Sequence, residues 1–196
     1  MDRSSHLRDG VREAYSAAAE RPHEEHAFPV GRSFAESIGY PKEQLDRMPS
    51  VSVNAFAGVS NVSIFANLPA EATVLDLGCG AGLDSLIAAE RVGPKGRVIG
   101  IDFSDAMLRR ARQAAGEFGG SNVEFSKADA EKLPLEDGLV DVALVNGIFN
   151  LNPARDAIFR ELARVMREGG EVFAAELVLQ EPLSQEMRKS ETNWFA

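Results

Sequence analysis

The residues equipped to do chemistry sit behind three apolar stretches. The first stretch is Val74-Leu75-Asp76-Leu77-Gly78-Cys79-Gly80-Ala81-Gly82, an apolar run that enters a glycine turn and opens a helical pattern. Glycines in such a turn let a ligand approach the backbone closely and point amide groups at it. The residues around them decide which ligand. A dinucleotide fingerprint requires Gly-x-Gly-x-x-Gly, whereas these glycines stand at 78, 80 and 82 and Leu83 takes the last position. A Walker loop requires Lys and Ser or Thr after the turn, and Gly82-Leu83-Asp84 offers an acid instead. Asp76 brings a carboxylate to the ligand, where it repels a pyrophosphate and attracts a cation.

The second stretch ends in Gly100-Ile101-Asp102-Phe103, and Asp102 there can accept both hydroxyls of a ribose, a step shared with NAD proteins. Phe103 and Met107 offer an apolar face for a purine. Asp129-Ala130, behind the third stretch, adds an acceptor for its exocyclic amine. Together these describe a cationic aminoacyl group joined to an adenosine without phosphates, and S-adenosylmethionine has that constitution. Two other signals lead away from chemistry. Cys79 has no histidine near it in the strand-helix region, so it reads as a packed residue that shapes the turn. His23-Glu24-Glu25-His26 spaces its histidines three apart behind Pro22, which reads as a solvated turn and no metal site.

The bulk properties narrow the partners. The chain has 196 residues, 44% hydrophobic and 26% charged, with a net charge of −9 and no basic block. That argues for a globular protein with a small-molecule ligand and against nucleic acid or an anionic membrane as partner. No apolar run reaches the roughly 18 residues of a membrane span, and Met1 to Gly10 lacks a signal core. One cysteine excludes a disulfide framework and fits a reducing compartment, so the expected location is cytoplasmic.

Residues 1–67 read as an irregular helical lobe. Leu7, Val11, Ala14, Tyr15 and Ala18 recur at helical spacing, after which Pro22, Pro29, Gly31, Gly39, Pro41 and Pro49 divide the chain into short pieces. Residues 68–196 alternate strand and helix patterns, the signature of a parallel sheet covered on both faces. The strands read as Thr73 to Leu77, Arg97 to Ile101, Asn122 to Ser126, Leu139 to Val145 and Glu171 to Leu179. Helices fall at Leu83 to Arg91, from Ala106 to Phe118 with Ser104 or Asp105 as N-cap, and after Pro153 up to Gly169-Gly170. Ligands in such sheets bind at the carboxyl ends of the strands, where the three chemical stretches lie.

Four motifs in register, Asp76 to Gly82, Gly100 to Ser104, Ala128 to Pro134 and Arg164 to Gly170, resemble the class I S-adenosylmethionine-dependent methyltransferases. Val92 to Gly100, Asn146 to Pro153 and the Val11-Arg12-Glu13-Ala14-Tyr15 helix are similar to the arsenite methyltransferase-like, methyltransferase type 11 branch. The resemblance implies a Rossmann-like α/β fold with strand order 3-2-1-4-5 and an N-terminal helical lid. It implies that Asp76, Gly78 and Gly80, with Cys79 in the turn between the glycines, line the methionine end of the cofactor. Asp102 would hold the ribose, and Phe103, Met107, Asp129 and Ala130 the adenine. Asn146 would border the sulfonium, and Tyr15 would contact the cofactor from the lid.

The expected function is methyl transfer to a small-molecule acceptor, with no catalytic side chain named. The alternatives are a non-catalytic S-adenosylmethionine-binding module and an NAD-dependent oxidoreductase. Arsenite enzymes place thiolates where this chain has Val59 and Gly147, which leaves the acceptor open. The family also continues past its fifth strand through a further helix and strand pair, and the residues beyond Val178 are too few to build them. The chain is therefore expected to be a C-terminally incomplete core. Leu183 to Ser190 reads as helical before Trp194-Phe195, and an uncovered edge strand would invite a homodimer.

Overall fold

A computed structural model describes residues 3–181. The N-terminal stretch is helical in short pieces because proline and glycine interrupt it: α1 (Arg3–Glu20), α2 (Arg32–Ser37), α3 (Lys42–Arg47), α4 (Ser50–Val53) and α5 (Val62–Phe65). Gly31, at φ +91°, caps α2, while Pro41 and Pro49 open α3 and α4 with the fixed φ that suits a helix start. These pieces do not bury their own apolar faces. Tyr40, Leu45, Met48, Val53 and Phe56 share one core with Leu83, Leu86 and Ile87 of α6 (Leu83–Val92).

The rest alternates strand and helix: β1 (Thr73–Leu77), α6, β2 (Arg97–Asp102), α7 (Asp105–Phe118), β3 (Val123–Lys127), β4 (Val140–Asn146), α8 (Arg155–Val165) and β5 (Met166–Ala175). All neighbouring strands pair in parallel, in the order β3-β2-β1-β4-β5. The order and the five strands are those expected. β1 lies at the centre, and its apolar run follows from burial on both faces. Ser104 is the cap of α7, its hydroxyl accepting the Met107 N–H at 3.3 Å, and Gly119 ends that helix in the left-handed region.

One boundary differs. Gly169-Gly170 does not close α8, which ends at Val165, but bends the strand that follows. Met166 pairs with Val140 and Glu171 with Val142, so residues 167–170 bulge out between them, with Gly169 at φ +77°. β5 then stops at Ala175 and not at Leu179, because β4 ends at Asn146 and leaves nothing to pair with. Leu183 to Ser190 and Trp194-Phe195 lie outside the described residues. Among the described residues no helix is long and apolar enough to cross a membrane.

Helix α1 lies along α7. Ala18 and Ala19 let the two approach closely over Ala106 and Met107, and Ser16 Oγ meets Ser104 Oγ at 2.8 Å. The Arg110 guanidinium donates to the Ala19 carbonyl and fixes the far end of α1.

The sheet is equally tight beneath the glycine turn. A Cβ on Gly100 of β2 would stand 3.1 Å from Cys79 Sγ and press into the Phe125 ring. Gly100→Ala is therefore expected to cost about 1–3 kcal/mol, the usual range for overpacking a filled core. The check is a lower urea midpoint with an unchanged m-value.

Candidate functional site

The carboxyl ends of β1, β2 and β4 open into one cavity, roofed by α1 and flanked by residues 52–58. It is an open cleft whose lining comes from both the N-terminal pieces and the strand ends. The eleven residues singled out in the sequence all line it. Asp76, Gly78, Cys79 and Gly80 come from the end of β1, and Asp102, Phe103 and Met107 from the end of β2 and the start of α7. Asp129 and Ala130 follow β3, Asn146 closes β4, and Tyr15 reaches in from α1. Tyr15 stacks on Phe28 with ring centroids 4.4 Å apart, which fixes its ring at the roof.

The glycine turn works differently from the expectation. The Gly78 and Cys79 N–H groups both donate to the Ile101 carbonyl, at 2.8 and 3.0 Å, and the Gly80 N–H donates to Asp102 Oδ2 at 2.9 Å. These amides face the end of β2 and are not presented to a ligand. What the glycines provide is closeness. Gly78 and Gly80 have φ of +76° and +52°, and a Cβ on Gly78 would run into the Ile148 side chain.

Asp102 accepts the Gly80 N–H at Oδ2 and the Ser104 N–H at Oδ1 (2.8 Å), and the Phe103 N–H also points to it. Burial pushes its pKa up, against the pull of those hydrogen bonds. Asp76 accepts the Ser85 hydroxyl at 2.5 Å and is pushed up to about 8, first by burial and then by the neighbouring Asp84. The Cys79 thiol is pushed up as well, by burial and then by Asp102, which removes it as a nucleophile. Among the described residues no cluster of His, Cys, Asp and Glu is placed to hold a metal, and His26 Nε2 instead meets the Arg21 carbonyl at 2.9 Å.

Several lining residues were not found by reading the sequence. Asp84 is buried and accepts from Tyr40, Ser63 and Asn146. Its only signal was its place as the acid where a Walker loop has lysine. Ser52 on α4 lines the cavity fully buried, and its hydroxyl has no hydrogen-bond partner among the described residues. Nothing in the sequence marks that serine. Arg8 on α1 pairs with Glu131 across the mouth at 2.5 Å, a contact between residues far apart in the chain.

Comparison with known proteins settles the family. Residues 68–195 match the family described as Methyltransferase domain. The chain belongs to the class I S-adenosylmethionine-dependent methyltransferases. It is 36% identical to an arsenite methyltransferase of Halobacterium salinarum over 80% of this chain and 40% of that one. It is 38% identical to a demethylmenaquinone methyltransferase of Lactococcus lactis over 53% of this chain and 41% of that one. The chain thus spans about two fifths of the length of these curated relatives. Among solved structures, an arsenic(III) S-adenosylmethionine methyltransferase from Chlamydomonas reinhardtii superimposes with a TM-score of 0.63. That match has 28% identity and covers 86% of this chain and 57% of the other.

S-adenosylmethionine is the cosubstrate of this methyltransferase family, and the cavity fits it on three counts. Two buried carboxylates suit a cation and a pair of hydroxyls, a glycine cradle admits close approach, and the Ser52 hydroxyl waits buried for a partner.

The raised Asp76 sets a pH dependence. A folded-state pKa above the unfolded value of about 3.9 means that the folded chain holds the proton more tightly. The resulting stability is complete below that unfolded value and is lost as pH climbs towards about 8. The melting temperature of the ligand-free protein is expected to fall between about pH 5 and 8. Asp102 and Glu176 shift in the same direction, so Asp76→Asn should reduce the slope without abolishing it. Differential scanning calorimetry across that range checks both.

Proposed function

We propose that this chain binds S-adenosylmethionine across the ends of β1 and β2 and transfers its methyl group to a small apolar acceptor. The observation that carries the reading is the continuity of the cavity: from the Asp76 and Asp102 carboxylates it passes directly to apolar lining from Phe56, Ile148 and Leu151. In this reading, the Asp102 carboxylate meets the ribose hydroxyls. Phe103 and Met107 flank the purine, with Asp129 and Ala130 at its edge. Asp76, Gly78 and Gly80 receive the methionine end, with Cys79 packed behind the turn, and Asn146 borders the region of transfer. Tyr15 covers the cofactor from α1.

When bound, the cofactor supplies a methyl group already activated on a sulfonium, so the protein needs no nucleophile of its own. Its contribution is alignment. Among the described residues no histidine or lysine lines the cavity, and this reading favours an acceptor whose nucleophilic atom is reactive at neutral pH without a strong side-chain base.

The relatives' names point to arsenite and to demethylmenaquinone. A Cβ on Gly147 would meet Val59 Cγ1 at 3.0 Å, so the two places at which the resemblance puts thiolates face each other and hold no sulfur. Arsenic prefers thiolate ligands, and the one cysteine of this sequence, Cys79, is buried with its thiol form favoured. This supports an apolar organic acceptor over arsenite.

The test is parallel calorimetric titration with S-adenosylmethionine, S-adenosylhomocysteine and NAD. Micromolar binding of the first two and none of NAD is expected. Asp102→Ala should weaken S-adenosylmethionine by about 1.5–3 kcal/mol, roughly 10–150-fold, for loss of hydrogen bonds to a charged group. Binding of NAD alone would favour the oxidoreductase alternative. Cofactor binding with no turnover of demethylmenaquinol or arsenite would favour the non-catalytic one.

A further inference from the structure

Asp84 is a buried carboxylate, 6% exposed, in the first turn of α6. No Lys, Arg or His among the described residues forms an ion pair with it. Neutral donors hold it instead: Oδ1 accepts the Tyr40 hydroxyl at 2.5 Å and the Ser63 hydroxyl, and Oδ2 accepts Asn146 Nδ2 at 2.9 Å. A buried charge without a cation is costly, so its retention needs a reason.

Asn146 shows what Asp84 orders. With Oδ2 of Asp84 taking one of its amide hydrogens, Nδ2 gives the other to the Ser60 carbonyl at 2.7 Å. Oδ1 of Asn146 accepts the Val59 N–H at 2.8 Å and the Ser60 N–H at 3.1 Å. Every hydrogen-bonding position of the Asn146 amide that the geometry offers is engaged, and the loop of residues 58–60 is pinned to the end of β4. Gly58 permits the contact, since a Cβ there would lie 2.5 Å from Asn146 Nδ2. Gly58 of this loop lines the cavity together with Phe56 and Ile148, and Val59 packs against Gly147, which lines it too.

We propose that Asp84 is a positioning residue for the methyl acceptor, acting through Asn146 to hold residues 58–60 as the fixed wall against which the acceptor is aligned. The proposal rests on the methyltransferase reading above. The carboxylate suits this position because Oδ2 accepts from Asn146 while Oδ1 takes both hydroxyls, and a side chain without an oxygen there leaves Asn146 Nδ2 with no acceptor on α6.

The test is amide hydrogen exchange on the full chain, comparing the unmodified protein with Asp84→Ala and Asp84→Ser. Both variants should lose at least about tenfold of the protection at Val59 and Ser60 while the β1 amides keep theirs. In Asp84→Ala the Kd for S-adenosylhomocysteine should stay within about threefold, while the KM for demethylmenaquinol as probe acceptor rises about tenfold or more. Unchanged protection at Val59 and Ser60 would overturn the proposal. So would a Kd for S-adenosylhomocysteine raised more than about tenfold, which would make Asp84 a direct cofactor contact. If Asp84→Ala does not fold, Asp84→Ser decides, because it removes the carboxylate that holds Asn146 while keeping a hydroxyl for Tyr40 or Ser63. If the unmodified chain binds no S-adenosylhomocysteine, the methyltransferase reading fails, whereas the exchange result still decides whether Asp84 holds the loop.

Discussion

The end of β2 reaches back to hold the turn that follows β1, and the geometry of the cavity depends on that grip. Three consecutive amides, from Gly78 to Gly80, donate to Ile101 and Asp102, while the other oxygen of Asp102 caps the Ser104 amide ahead of α7. One carboxylate therefore ties the first strand-helix connection to the second. Those bonds are short and sheltered from water, which raises their strength and the cost of leaving any partner unmet. Asp76, Asp84 and Asp102 are buried near one another with neutral donors around them, and burial with Asp84 alongside pushes the Asp76 carboxyl up to about 8.

The helical pieces before β1 do more than cover this site. Their apolar residues complete the core on one face of α6, and Tyr40 and Ser63 reach the Asp84 carboxylate from that side. Asn146 then passes the constraint from α6 to the 58–60 loop. This side of the cavity is thus assembled from three segments distant in the chain. Its polar atoms are fixed to one another before any ligand arrives, which is the preorganisation that an alignment-driven reaction needs.

Much of this was legible in the sequence, for physical reasons that differ from place to place. β1 and β4 show as apolar runs because both their faces are covered, and the glycine turn shows because side chains would collide there. The strand order and the residues that line the cavity followed from those segments and the family resemblance. Gly169-Gly170 misled, because a glycine pair signals a helix end and a strand bulge equally well, and the choice depended on pairing with Val140 that no local pattern contains. The direction of the turn's amides was also beyond local reading, since Gly-x-Gly spacing fixes closeness and leaves open what the N–H groups meet. Asp84, Ser52 and the Arg8–Glu131 pair escaped because their significance arises from contacts across the fold.

The core shared by the N-terminal pieces and α6 constrains how such a protein can diversify. Tyr40, Leu45 and Phe56 interlock with Leu83, Leu86 and Ile87, so the residues shaping the acceptor side cannot be exchanged between homologues independently of the α6 face beneath them. Recombination at the start of β1 would pair an incoming lobe with a helix shaped for another, leaving voids or clashes. The cavity is then altered more readily by point changes at positions that line it, such as Ile148 and Leu151, with the inherited lobe and helix kept as a matched pair.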